Sequence, residues 1–288
     1  MALFSKKQIL IFSDLDGTIL SSVDYSPGPS LSAVDLATKH GIDFVIVSSK
    51  TRAEIEFLQK EFGWNFPFIS ENGGAIYIPE EKPLKKTIKS LLRDGCFWKI
   101  EFGVSYSDIC EALNKISERL EIKITAFHQL DTRQVAELAG LPLEQAKLTK
   151  IREYDEPFLV AEESESKIPL LIQQIEKQGL RYTRGGKYHH IIGDYNKGRA
   201  VKTFKELYQQ EYGSIITAAI GDAKNDIPMF EQVEYPFLVR KYDGSFEMDA
   251  VIQNIVITDG IGPAGFAEAV EVLITNSYEI KGRTICDK

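Results

Sequence analysis

Two carboxylates one residue apart stand in Asp14-Leu15-Asp16-Gly17-Thr18, directly after a short apolar run, Gln8–Ser13. Side chains at i and i+2 of an extended segment share a side, so Asp14 and Asp16 face a common site. Like charges that close repel unless a cation or a shared proton offsets them. Mg²⁺ takes oxygen ligands, keeps several waters and leaves room for phosphate, so it suits this pair. One carboxylate is then a nucleophile toward phosphorus; the other passes a proton to the leaving oxygen and takes one from water. Gly17 lets the backbone turn tightly and bring amides to phosphate oxygens. Ser48 ends a second apolar run and offers a hydroxyl to a phosphoryl oxygen, although a serine there is commonly just a turn residue. Lys197 opens a helical stretch and supplies compact positive charge; alone it also reads as a solvated surface lysine. Gly221-Asp222-Ala223-Lys224-Asn225-Asp226 adds two more acids after the apolar run Ile215–Ile220. Asp222 reads as a metal ligand, and Asp226 ligates through water or orients Lys197. The bland alternative is an acidic loop capping the next helix.

These groups must be positioned by the elements that carry them. Gln8–Ser13, Ile42–Val47 and Pro67–Ser70 read as buried strands, with helices over Ser30–His40 and Thr51–Phe62 between them. Thr51 and Glu54 have the spacing of a capping box, and Gly63 stops that helix. Strand alternating with helix predicts an α/β fold with a parallel sheet, whose ligands collect at the carboxyl ends of the strands. The rhythm breaks at Pro79–Lys86, a charged, proline-containing linker. A block of different rhythm follows, with strands at Phe97–Phe102, Ile122–Phe127 and Pro157–Ala161, and a hairpin, Leu180–Thr183 with Tyr188–Ile192, turning through Gly185–Gly186. Helices are expected at Ser107–Leu120, Thr132–Ala139, Leu143–Ile151 and Lys167–Gln178. From Asn196 the α/β rhythm resumes: helix Gly198–Tyr212, strand Ile215–Ile220, a helix around Asp226–Gln232, strands Pro236–Arg240 and Asn254–Ile257, and helix Pro263–Ile274. The expected organisation is a discontinuous core, residues 1–83 and 194–288, interrupted by an inserted α+β unit, residues 84–193.

The chain has 288 residues, 43% hydrophobic and 26% charged, enough for two compact units and unlike a disordered composition. A net charge of −8 gives no general attraction for nucleic acid or an anionic membrane, so an anionic ligand must be captured by local positive charge. The three cysteines, Cys96, Cys110 and Cys286, are widely spaced and form no C-x-x-C, which indicates neither a disulfide framework nor a zinc motif. No apolar run is long enough to span a bilayer. The expectation is a soluble cytoplasmic protein with reduced thiols; oligomeric state is left open.

Taken together, DLDGT, the strand ending in Ser48, Lys197 and GDAKND resemble the four ordered motifs of the haloacid dehalogenase (HAD) superfamily over essentially the whole chain. The resemblance implies a Rossmann-like parallel-sheet core with an inserted α+β cap of the C2B type. It implies Asp14 as nucleophile and metal ligand, and Asp16 as general acid/base with its backbone carbonyl on Mg²⁺. Ser48 and Lys197 would hold the phosphoryl group, and Asp222 and Asp226 the metal. More specific strings, Ser49-Lys50-Thr51-Arg52, Glu71-Asn72-Gly73-Gly74, Arg152-Glu153-Tyr154-Asp155-Glu156 and Thr183 through His190, resemble the mannosyl-3-phosphoglycerate phosphatase family. The implied activity is Mg²⁺-dependent phosphomonoester hydrolysis through a phospho-aspartate, on a small sugar phosphate that also carries a carboxylate. Thr51, Arg52, Asn72, Gly73, Arg184, Gly185, Gly186, Lys187 and His190 are the expected substrate-binding residues; cations and glycine-turn amides suit an anionic ligand. His189 and His190 point to opposite faces of a strand, so at most one faces the ligand. Asn196, where aspartate is common, and Ala223-Lys224 depart from the pattern and bear on substrate rather than reaction. Alternatives are a phosphatase for glucosyl-3-phosphoglycerate or sucrose phosphate, or a non-catalytic sugar-phosphate sensor. The intact acids and Lys197 disfavour the last.

Overall fold

Ile9 and Ile11 point to one face of the first strand and Leu10 and Phe12 to the other, and all four are buried in two separate apolar clusters. A strand covered on both faces reads as a continuous apolar run, which is why this segment lacks alternation. The computed structural model describes residues 8–82, 84, 91–246 and 252–275. Its strands are β1 (Gln8–Ser13), β2 (Asp43–Val47), β3 (Phe68–Ser70), β4 (Ala75–Pro79), β5 (Leu92–Asp94), β6 (Phe97–Glu101), β7 (Ile124–Ala126), β8 (Asp155–Val160), β9 (Arg181–Gly185), β10 (Tyr188–Ile192), β11 (Ile215–Gly221), β12 (Tyr235–Arg240) and β13 (Val256–Ile261). The helices are α1 (Ser30–Lys39), α2 (Arg52–Phe62), α3 (Tyr106–Leu120), α4 (Thr132–Ala139), α5 (Leu143–Thr149), α6 (Ile168–Lys177), α7 (Lys197–Tyr212), α8 (Ile227–Phe230) and α9 (Pro263–Ile274).

The larger sheet has the order β13-β12-β11-β1-β2-β3-β4-β6-β5. From β13 to β3 all neighbours run parallel, with Ser13 opposite Ile220 on one side and Ile46 on the other. Residues of α1, α2 and α9 cover one face, and residues of α7 and α8 the other. This is the expected parallel α/β core. The capping box of α2 forms with both halves in place, and Gly63 closes that helix in the left-handed region. Asn196 caps α7 by accepting the Arg199 N–H, so asparagine there serves the helix as an aspartate would.

One strand goes elsewhere than expected. Phe97–Glu101 forms, but it pairs with β4 at the antiparallel margin of the large sheet instead of opening the inserted block, and β5 extends that margin further. Strand-like alternation does not say which sheet a strand joins. Of the linker expected at Pro79–Lys86, residues 83, 85 and 86 lie outside the described residues, as does Cys286. The second sheet is antiparallel, β7-β8-β10-β9, with α3 and α6 packed on it through Ile109, Leu113, Phe158, Leu171, Ile175 and Ile191. The short helices α4 and α5 contribute Val135 and Ala146 to a smaller cluster with Phe127 and Tyr188.

The chain crosses between the sheets at two adjacent points: a Cβ placed on Gly193 would stand 3.3 Å from the Val104 nitrogen. A third link is not covalent. The Tyr154 ring, buried in the large-sheet core, fits between Gly74 and Gly103, where an added Cβ would come within 2.7 and 2.1 Å of it. Below it, the fully buried Glu71 accepts the backbone N–H groups of Glu153, Tyr154 and Asp155, each at 2.9 Å. Burial pushes the Glu71 carboxyl up to about 7, against the opposing pull of Arg152.

Candidate active site

Because β1 and β11 are neighbours in register, Asp14 and Asp222 emerge side by side at their carboxyl ends; the Asp14 N–H still donates to the Ile220 carbonyl at 2.9 Å. Lys197, the first residue of α7, is fully buried. Its Nζ lies 2.7 Å from Asp14 Oδ1 and 2.7 Å from Asp226 Oδ1. Burial alone would lower the ammonium's pKa, but the two carboxylates outweigh it and hold it protonated. Asp226 Oδ2 accepts the N–H groups of Asp222 and Ala223, each at 3.0 Å, so this one carboxylate fixes both the lysine and the loop. Gly17 has a φ of +81°, and a Cβ there would lie 2.5 Å from Asp222 Oδ2. The glycine of DLDGT is thus needed for close approach of the opposite acid.

Burial pushes Asp14 up to about 7, with Lys197 opposing and Asp226 and Asp16 adding to the rise. Asp222 is held well above the usual carboxylate range by burial and then by Asp14 and Asp226. Asp14, Asp222 and Asp226 bring carboxylate oxygens within 4.8 Å of one another. An all-oxygen set in which the charged forms of Asp14 and Asp222 are disfavoured until positive charge arrives fits a hard divalent cation. Asp226 is already engaged by an ammonium and two amides, which leaves Asp14 and Asp222 as the donors with spare capacity. Asp16 Oδ1 is buried with no partner among the described residues, while Oδ2 pairs with Lys50 Nζ at 3.1 Å. Ser48 is buried just past β2; its Oγ accepts the Lys50 N–H at 3.1 Å and keeps its proton for another acceptor.

Above these groups lies a cavity of about 470 Å³, with Asp14, Asp16, Lys50 and Asp222 on its floor and Arg152, Gly185, Gly186, Lys187, Tyr188 and His190 on the side of the second sheet. Four of the expected substrate residues, Gly185, Gly186, Lys187 and His190, are thus in its wall. Thr51, Arg52, Asn72, Gly73 and Arg184 are not among its lining residues. Thr51 is the α2 cap. Arg52 pairs with Glu56 and Asp94 over the rings of Tyr77 and Phe97, turned away from the floor. Asn72 donates to Asp155 Oδ2 at 2.6 Å and accepts from Asn225 at 3.0 Å, so its amide joins the two units. Gly73 admits the Asn196 carbonyl, 2.4 Å from where a Cβ would be. Arg184 is exposed on β9. His190 Nδ1 meets Asp155 Oδ1 at 2.8 Å, whereas His189 faces away, against Phe158 and the Tyr182 hydroxyl. Sequence reasoning missed two cations. Lys50 and Arg152 sit inside strings quoted for their resemblance, yet a charge at a strand end reads as solvated; in fact Lys50 is largely buried against Asp16, and Arg152 is buried against Glu71 and Asp155.

A family profile described as haloacid dehalogenase-like hydrolase matches residues 11–243. The chain belongs to that family. Among curated relatives, a protein of Methanococcoides burtonii named glucosyl-3-phosphoglycerate/mannosyl-3-phosphoglycerate phosphatase is 41% identical over 94% of this chain and 99% of its own length. One of the same name from Persephonella marina is 34% identical over 91% and 96%. Among solved structures, a Thermoplasma acidophilum protein matches with a TM-score of 0.65 at 18% identity, covering 96% of this chain and all of its own. A HAD phosphatase from Bacteroides thetaiotaomicron, BT1666, matches at 0.60 and 17%, covering 98% of each chain. These two likenesses concern the fold alone. With family and full-length relatives agreeing, the protein is a phosphatase of the HAD family with a capped Rossmann-like core. No helix among the described residues is long and apolar enough to cross a membrane.

Proposed function

We propose that the protein is a cytoplasmic, Mg²⁺-dependent phosphatase of glycosyl-3-phosphoglycerates, releasing mannosylglycerate from its 3-phospho precursor. The observation that carries this reading is Asp14, held by the buried Lys197 at 2.7 Å, beside Asp222 on the floor of a cavity whose far wall carries Arg152, Lys187 and His190. Asp14 and Asp222 would hold Mg²⁺, which supplies neutralising charge to the carboxylates and the phosphate. Asp14 attacks phosphorus; its Oδ–P bond forms as the P–O bond to the glycerate breaks, and Asp16 gives its proton to the departing oxygen. Water then attacks the phospho-aspartate, Asp16 takes the water's proton, and inorganic phosphate leaves with Asp14 restored. Ser48 and Lys197 hold the phosphoryl oxygens throughout, and Asp226 acts by fixing Lys197 and the loop. Positioning and charge carry most of the barrier reduction in phosphoryl transfer.

The glycerate carboxylate is assigned to Lys187, His190 and the amides of Gly185–Gly186, and the sugar to the remaining wall. The relatives' names cover both the glucosyl and mannosyl substrates, and both are proposed for this chain. We take the inserted unit as residues 104–193, its start moved from 84 because β5 and β6 belong to the large sheet. Unpaired Cys96 and Cys110 agree with a reducing compartment. Phosphate release from mannosyl- and glucosyl-3-phosphoglycerate, beside sucrose phosphate and common sugar phosphates with Mg²⁺, tests the substrate. Equal or greater turnover of the carboxylate-free sugar phosphates would overturn it.

A further inference from the structure

Strand β8 alternates its side chains, and the two faces meet different surroundings. Asp155 and Pro157 turn toward the catalytic cavity, where Pro157 lines the wall and Asp155 meets His190. Glu156, fully buried, turns the other way, toward α3. There its carboxylate, the thiol of Cys110 on α3 and the imidazole of His128 bring ligand atoms within 4.8 Å of one another. None of the three lines the catalytic cavity. Their sequence positions form no metal-binding spacing; the fold alone assembles them.

The hydrogen bonds around His128 fix what its ring presents. The Ala126 backbone N–H donates to Gln129 Oε1 at 3.1 Å, so the amide nitrogen of Gln129 is the atom facing Asn114, and it donates to Asn114 Oδ1 at 3.2 Å. That same oxygen faces His128 Nε2 at 3.1 Å, which makes Nε2 the protonated nitrogen. In the neutral ring Nδ1 then bears a lone pair, and it points at Glu156 Oε1 only 2.9 Å away. Oε1 already accepts the His128 backbone N–H at 2.9 Å, and Oε2 accepts the Tyr106 hydroxyl at 2.5 Å. Two acceptors face each other at hydrogen-bond distance. Either a proton, carried by ring or carboxyl, or a cation must satisfy the pair. A sulfur ligand alongside, and an Nε2–H held by an amide carbonyl, are the marks of a metal-binding histidine with its outer partner in place.

We propose that Cys110, His128 and Glu156 form a second metal site, separate from the carboxylates of the large sheet, that takes Zn²⁺ or another thiophilic divalent ion. Thiolate, imidazole and carboxylate together select such a metal over Mg²⁺, which takes oxygen ligands. Binding would require the Cys110 thiol to release its proton to solvent and would use the His128 Nδ1 lone pair in place of a proton. The site ties α3 to β8 and to the turn at Phe127–Gln129.

Co²⁺ is the probe, because a thiolate ligand gives it a near-ultraviolet charge-transfer band that oxygen ligands do not. Titrating the full-length, metal-stripped protein with Co²⁺ should produce this band at one equivalent per chain, and Zn²⁺ should bleach it. The band should persist in Asp222→Asn, where the large-sheet set is impaired, and vanish in Cys110→Ser. Asn114→Ala keeps all three ligands and should weaken Zn²⁺ binding by about 10- to 100-fold. It serves as the test should Cys110→Ser fail to fold. Absence of the band at excess Co²⁺ would overturn the site and leave a proton, not a metal, between His128 and Glu156. A band that survives in folded Cys110→Ser, or unchanged Zn²⁺ affinity in Asn114→Ala, would overturn it as well.

Discussion

Asp14 is buried beside other acids, and the cost of its charge is visible in a pKa near 7, set by burial and only partly offset by Lys197. In the metal-free protein, native Asp14 therefore keeps a proton that the unfolded chain, at its ordinary value of 3.8, has already lost. The native state binds more protons, so this group's contribution to stability falls as pH rises from about 4 to about 7. The melting temperature of the metal-free protein should carry that decline, and Mg²⁺ should reverse it. Cation and proton compete for the same carboxylate, so for one displaced proton the Kd for Mg²⁺ should rise about tenfold per pH unit below 7. Calorimetric titration at several pH values checks this; a Kd independent of pH would remove Asp14 as a ligand. Asp14→Asn should keep the fold and lose about four orders of magnitude or more in turnover. Near-normal phosphate release by that variant would exclude Asp14 as the nucleophile.

Elements decide which of these residues meet. Gly17→Ala brings a Cβ against Asp222 at a left-handed φ, so it should lower both Mg²⁺ affinity and turnover while α1 and α2 stay formed, as circular dichroism with metal titration would report. Glu71 is the comparable point between the two sheets. Glu71→Ala leaves three backbone N–H groups of the 153–155 segment without their acceptor, and should cost about 3–5 kcal/mol in urea unfolding; a loss below about 1 kcal/mol would make that acceptor dispensable. The parallel strands, the α2 capping box and the four acids were legible in the sequence, because apolar runs, cap spacing and acids at strand ends are local properties. The partner of Phe97–Glu101 was not, since pairing with β4 is settled only by the folded sheet. Nor was the burial of Lys50 and Arg152, each of which looks like an ordinary surface cation until its acid, distant in sequence, is brought beside it. Asn72 and Arg52 misled for the same reason: Asn72 bonds Asp155 across the boundary, and Arg52 bonds Asp94 at the sheet margin.

At the scale of the whole molecule, the interface between the two sheets is heavy at one end and light at the other. Tyr154 is wedged between glycines, whereas the tip of the β9–β10 hairpin only touches the Asp222–Asp226 loop, with a Cβ on Gly185 lying 3.4 Å from Asn225 Nδ2. Cysteines placed at Gly185 and Asn225 should join when oxidised and cut turnover about tenfold or more, with recovery on reduction, because product release needs the light end to part. Equal turnover in the oxidised and reduced forms would show that it need not. The wedge has a mechanical consequence. If the second sheet turns about this wedge, Arg152, close to it, stays over the floor while Gly185–Lys187, at the hairpin tip, travel furthest. An arriving ligand would then meet a fixed jaw first and a moving one afterwards, and the moving jaw is the one that carries the proposed carboxylate contacts.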